Sequence, residues 1–76
     1  MKVDIYGKEN CSYCTAAKNL AAARGLEYTY KQLEADYGWD IWLKFFPHAK
    51  SFPQIVIDGE AIGGFEDFKS FLENHS

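Results

Sequence analysis

The chain carries two cysteines, three positions apart, in Cys11-Ser12-Tyr13-Cys14. That separation closes too short a loop to staple a fold, so the pair is read as chemistry. A Cys-x-x-Cys that follows a strand pattern and opens a helical one suits dithiol–disulfide exchange. Exchange needs a thiolate, and a free cysteine with a pKa of ~8.5 is only about 3% ionised at pH 7. At a helix start, unpaired backbone N–H groups and the positive end of the dipole favour the charged form. The dipole contributes at most ~2 kcal/mol, roughly 1.5 pKa units. Lys8, three residues upstream, is the nearby cation that adds to it, and Glu9 works against it. Cys14 lies one turn further in, nearer the expected core, where a less acidic thiol is expected. Cys11 is therefore the expected nucleophile and Cys14 the resolving thiol.

Two other uses of the cysteines were weighed. They could form half of a zinc site, but such a site takes four ligands. The two histidines, His48 and His75, lack the H-x-x-x-H spacing that would complete it. Cys14 could instead be core filler beside an unrelated Cys11. Exchange is preferred over both, and no metal ligands are expected.

The flanking patterns show how such a pair would be held. Val3–Tyr6 alternates with charged Lys2 and Asp4 and stops at Gly7, which predicts a short strand. After the cysteine segment, Tyr13, Ala16, Ala17, Leu20 and Ala21 recur at helical spacing, and Arg24-Gly25 supplies a cationic end and a glycine cap. Glu27–Gln32 is rich in β-formers and predicts a second strand, parallel to the first in a right-handed βαβ unit. Tyr37–Phe46 predicts a helix stopped by Pro47, with Trp39, Trp42, Leu43 and Phe46 at helical spacing. Its aromatics are read as core, with a partner-docking face as the alternative. Gln54–Ile57, a tight turn at Asp58-Gly59, and Glu60–Ile62 predict a hairpin. Gly63-Gly64 then opens a last helix with Phe65, Phe68, Phe71 and Leu72 on one side. The order β-α-β-α-β-β-α describes an α/β domain with one mixed four-stranded sheet and helices on both faces.

Composition limits the class. Seventy-six residues make one domain, taken as residues 1–76, and 47% hydrophobic with 17% aromatic residues is enough for a core without metal or disulfide support. A net charge of −3 without a basic cluster argues against nucleic acid. No apolar run approaches the ~18 residues of a membrane span, and the start lacks a signal-peptide pattern. A reducing, cytoplasmic setting is expected.

At this point the residues resemble the glutaredoxin family over nearly the whole chain. Gly7-Lys8-Glu9-Asn10-Cys11-Ser12-Tyr13-Cys14 looks like its dithiol site with an upstream basic residue. Ser51-Phe52-Pro53-Gln54 is similar to the family's T-V-P-Q, whose proline is cis and faces the active site. Ile62-Gly63-Gly64-Phe65-Glu66-Asp67 resembles its I-G-G-x-x-D segment, which holds glutathione. The last two in register separate it from thioredoxin.

The resemblance implies a thioredoxin-like fold and a monomer that uses glutathione as reductant. Clients would be disulfide-containing or glutathionylated proteins, with ribonucleotide reductase a family-typical one. Lys8 would meet the glycine carboxylate of glutathione, Cys11 would form the mixed disulfide, and Tyr13 would wall the groove. The backbone of Phe52, before Pro53, would pair with the glutathione cysteine like an added strand. Gly64, Phe65 and Glu66 would present a helix N-terminus to the γ-glutamyl carboxylate. Asp67 would take the γ-glutamyl ammonium.

This chain departs from the family pattern in four places. Ser12 replaces the commoner proline, a change that in some relatives goes with a [2Fe–2S] cluster held between two subunits. Phe52 is bulkier than the usual valine. Glu66 stands where a small hydroxyl residue is common, and its charge opposes an incoming carboxylate. The Tyr37–Phe46 helix matches no family pattern. The alternatives kept open are a redoxin recharged by a flavoenzyme and an iron–sulfur carrier in which Cys11 is a ligand.

Overall fold

The computed structural model describes residues 1–74; His75, one of the two histidines weighed above, lies outside the described residues. Strand β1 (Lys2–Gly7) lies inside the sheet, with Val3 and Ile5 buried on one face and Lys2, Asp4 and the buried Tyr6 on the other. It pairs in parallel with β2 (Glu27–Gln32), Lys2 opposite Glu27 and Gly7 opposite Gln32. On its other side it runs antiparallel to β3 (Gln54–Ile57), with Ile5 opposite Ile55. The backbone turns at Asp58 (φ 50°) and Gly59 (φ 86°) into β4 (Glu60–Gly63). Two successive left-handed residues make the tight turn that matches strand twist. The sheet order is β2-β1-β3-β4, and the mixed four-stranded α/β architecture expected from the sequence is present.

Helix α1 (Ser12–Ala23) ends as its residues require. Gly25 adopts φ +67°, its N–H donates to the Ala22 carbonyl at 3.0 Å, and the Leu26 N–H donates to Ala21 at 3.0 Å. These two bonds satisfy carbonyls that the helix would otherwise leave open. The second helix, α2 (Trp39–Phe45), is shorter than the Tyr37–Phe46 expected. Tyr37 is drawn into a bridge with Leu33, and Gly38 takes the N-cap in extended conformation. Helix α3 spans Phe65–Asn74.

Alternation along the strands divides the interior in two. Val3, Ile5, Ile55 and Ile57 meet Ala17 and Ala21 of α1 and Phe68 and Leu72 of α3. On the opposite face, Tyr6 meets Trp42 and Phe46, with Tyr37, Phe52 and Val56 around them. The expectation that the α2 aromatics are core therefore needs correction. Trp42 and Phe46 are buried, while Trp39, Leu43 and Phe45 are exposed. A seven-residue helix over one end of a sheet has only one covered side, and helical spacing does not say how wide that side is. Tyr13 is likewise exposed, at 58%, whereas its neighbour Cys14 lies in the interior.

Candidate active site

Gly7 ends β1, and the three residues that follow carry the chain to Cys11. The backbone there is held from the side by two phenols. Tyr37 donates its hydroxyl to the Gly7 carbonyl at 2.9 Å, and Tyr30 donates to the Lys8 carbonyl at 3.3 Å. The Tyr30 ring occupies the space a Cβ on residue 7 would need, so any larger residue there would push the ring aside. Burial pushes the Tyr30 phenol above its ordinary pKa. Burial raises Tyr37 further, beyond the usual phenol range, with Tyr30 and Tyr6 adding to the shift. Both hydroxyls therefore keep their protons and remain donors at neutral pH.

Cys11 is the N-cap of α1, and its sulfur accepts the Cys14 N–H at 3.2 Å. The two cysteines are joined as a disulfide, with Cα atoms 5.2 Å apart. Cys14 is only 1% exposed, whereas Cys11 is partly open. An incoming thiol therefore reaches the Cys11 sulfur. After reduction the same N–H can donate to a Cys11 thiolate, which stabilises the charged form. The carboxylate of Glu9 accepts from the Gln32 amide at 3.3 Å.

Two depressions flank this sulfur-bearing helix start. An open groove of about 800 Å³ is lined by Tyr13, Phe52, Gly64, Phe65, Glu66 and Asp67, among others. Lys8 and Cys11 line a second hollow of about 780 Å³, together with Lys18 and Tyr30. Six of the residues carried over from the family motifs thus line one groove, while Lys8 and Cys11 line the hollow, and Cys14 and Pro53 line neither. Lys8 is connected to the groove through Phe52, since its ammonium lies 5.2 Å from the centre of that ring. Tyr13 and Phe65 rings approach at 5.7 Å and join α1 to the start of α3. Pro53 is fully buried after a cis Phe52–Pro53 bond, as the family pattern implied.

The glycine pair has local causes. Gly63 has φ +119°, and a Cβ there would strike the Asp67 carboxylate. That carboxylate accepts the Gly64 N–H at 3.0 Å, so Asp67 reaches back to cap its own helix. Gly64 brings backbone close to the Pro53 carbonyl, which a Cβ would meet at 3.5 Å. Glu66 is exposed at the groove edge.

Trp42 was read from the sequence as core and not as part of the site, and Tyr30 and Lys18 were not singled out at all. Trp42 stacks on Phe52 with centroids 3.9 Å apart. Lys18 lies over the Tyr30 ring at 4.2 Å. Among the described residues, no group of three or more His, Cys, Asp or Glu side chains is placed to hold a metal ion. No described helix is long and apolar enough to cross a membrane.

A thioredoxin-like sheet with a Cys-x-x-Cys disulfide at the start of its first helix defines a thiol–disulfide oxidoreductase. The family model for glutaredoxin matches residues 3–62. Glutaredoxin 1 of Escherichia coli is 30% identical over 82 residues, covering 99% of this chain and 96% of the relative. The glutaredoxin of Haemophilus influenzae is 32% identical over 80 residues, covering 96% and 92%. The solution structure of reduced Escherichia coli glutaredoxin superposes with a TM-score of 0.78 at 30% identity, covering 97% of this chain and 95% of that one. The chain belongs to the glutaredoxin family.

Proposed function

We propose that this protein is a glutathione-dependent reductase of protein disulfides and glutathione mixed disulfides. The observation that carries the reading is the groove beside the dithiol, where Tyr13, Phe52 and the start of α3 face one space. Its geometry suits an extended thiol peptide, with backbone pairing offered by Phe52 and free N–H groups by the start of α3. Against glutathione stands Glu66, whose charge opposes the γ-glutamyl carboxylate. Asp67 already accepts the Gly64 N–H, which leaves its second oxygen for an ammonium.

The chemistry proceeds by thiolate displacement. With a glutathionylated client, the Cys11 thiolate attacks the glutathione sulfur and the client leaves as a thiolate. A glutathione thiolate then attacks the mixed disulfide, releasing Cys11 and glutathione disulfide. With a protein disulfide, Cys11 attacks one sulfur, and Cys14 then attacks Cys11 to free the reduced client. That leaves the Cys11–Cys14 disulfide: one glutathione thiolate attacks Cys11 and frees Cys14, a second displaces Cys11 and leaves as glutathione disulfide, and the protons the two glutathiones gave up return to the freed dithiol. The clients on this reading are disulfide-bearing or glutathionylated proteins, ribonucleotide reductase being family-typical. The working form is a cytoplasmic monomer.

The test is a coupled assay with glutathione, glutathione reductase and a glutathione mixed disulfide. Turnover supports the reading. If turnover occurs only when a flavoenzyme thioredoxin reductase replaces the glutathione system, the dithiol is recharged another way and the glutathione assignment is wrong.

A further inference from the structure

Lys8 is exposed and has a four-carbon stem, so nothing in its own loop fixes where its ammonium sits. The structure supplies a fixed surface for it. The Lys8 ammonium lies 5.2 Å from the centre of the Phe52 ring. Behind it, Phe52 stacks on Trp42 at 3.9 Å and 20°, and Trp39 meets its edge at 6.1 Å and 80°. Trp42 is 5% exposed and belongs to the aromatic core, so the ring is braced from the interior. A cation over the face of a braced ring is held by the ring quadrupole.

We propose that Phe52, braced by Trp42, is a positioning residue for the dithiol chemistry: its ring keeps the Lys8 ammonium at the edge of the hollow that Cys11 lines. Lys8 belongs to the hollow that Cys11 lines and touches the wall of the groove, so it stands where the two meet. An aliphatic side chain at position 52 would fill similar space without holding a cation. The inference concerns thiolate formation alone and does not depend on which reductant recharges the protein.

Other charges face the same region. In the hollow these are Glu9, held by Gln32, and Lys18, held over Tyr30. Across the groove stand His48, Lys50, Glu66 and Asp67. Their contributions are common to every variant below, so differences between variants report on Lys8 and Phe52.

The experiment follows the pH dependence of Cys11 alkylation by iodoacetamide in the full chain. A Cys14→Ser background leaves one thiol to titrate. Lys8→Met should raise the midpoint by about half a pH unit, the effect of one partly screened charge at short range. Phe52→Leu should raise it in the same direction by a smaller amount, and Phe52→Tyr, which keeps a π face, should leave it in place. Phe52→Leu added to Lys8→Met should produce no further shift. Loss of packing alone would shift the midpoint equally with or without the lysine. The proposal is overturned if Phe52→Leu leaves or lowers the midpoint, or if the two shifts add.

Discussion

On one face of the sheet, Val3, Ile5, Ile55 and Ile57 meet two helices; on the other, Tyr6 and Val56 meet a single short helix and a stack of rings. The first face is aliphatic and sealed, with Phe68 of α3 fully buried at its centre. The second is aromatic and leaves Trp39 and Phe45 about half in solvent. Cys14 is carried by α1, which packs on the first, while Phe52 belongs to the second and has the Lys8 ammonium over its ring. The sulfurs are thus carried by a helix of the sealed side, whereas the groove beside them draws Tyr13 and Phe65 from that side and Phe52 from the aromatic one. Aliphatic side chains interdigitate to crystal-like density. Stacked rings bury large area in few contacts and tolerate an open edge.

The largest expected effect lies at the junction of the two faces. Cys11→Ser should abolish exchange with any disulfide. Cys14→Ser should keep activity on glutathione mixed disulfides and lose reduction of protein disulfides. Alkylation near neutral pH, with the modified residue identified by mass, checks the assignment; faster reaction at Cys14 would reverse it.

Next in size comes the contrast between the faces themselves. Phe68→Ala opens a cavity in the sealed core and should cost about 3–5 kcal/mol. Trp39→Ala removes a ring that is 49% exposed and should cost under about 1 kcal/mol. Urea midpoints of the two variants decide the matter. Equal losses would mean that the aromatic face is as tightly sealed as the aliphatic one.

Alkaline pH probes the aromatic side separately. The folded pKa of Tyr37 lies above its ordinary 10.0, mainly through burial. Its contribution to stability is therefore complete below about pH 10 and is lost as pH rises further, because the unfolded chain gives up the proton first. Tyr37→Phe should be less stable than the parent at neutral pH, lacking the bond to the Gly7 carbonyl. It should also lose stability less steeply between about pH 9 and pH 11. Parallel slopes in denaturant titrations would remove Tyr37 from the account.

The smallest effect concerns the groove edge. Two like charges at about 4–6 Å in a partly exposed groove repel by on the order of 1 kcal/mol. Glu66→Thr should therefore lower KM for a glutathione mixed disulfide several-fold. Added salt should narrow the gap between the two proteins, since surface repulsion is screened. An unchanged KM at low salt would leave Glu66 as a helix-start residue only.

Much of this was legible in the chain itself. The strands β2 and β3 begin and end where their residue types said they would, and the Asp58-Gly59 turn and the Gly25 cap follow from backbone chemistry at those residues. The dithiol at the start of α1 was equally plain. The α2 segment was not: Tyr37 left the helix to bridge Leu33, and Trp39 and Leu43 turned to solvent. Periodicity reports which residues share a side, not whether anything lies against that side.

The amino-acid sequence by itself determined the order of elements and the placing of a nucleophilic cysteine at a helix start. Those depend on neighbours within a turn or two, where spacing and propensity act. The tertiary structure alone decided that Tyr30 fills the space beside Gly7 and that Trp42 lies behind Phe52. It also placed Lys8 over that ring. These contacts join segments far apart in the chain, and their geometry is set by strand pairing and by what each face of the sheet had left to cover.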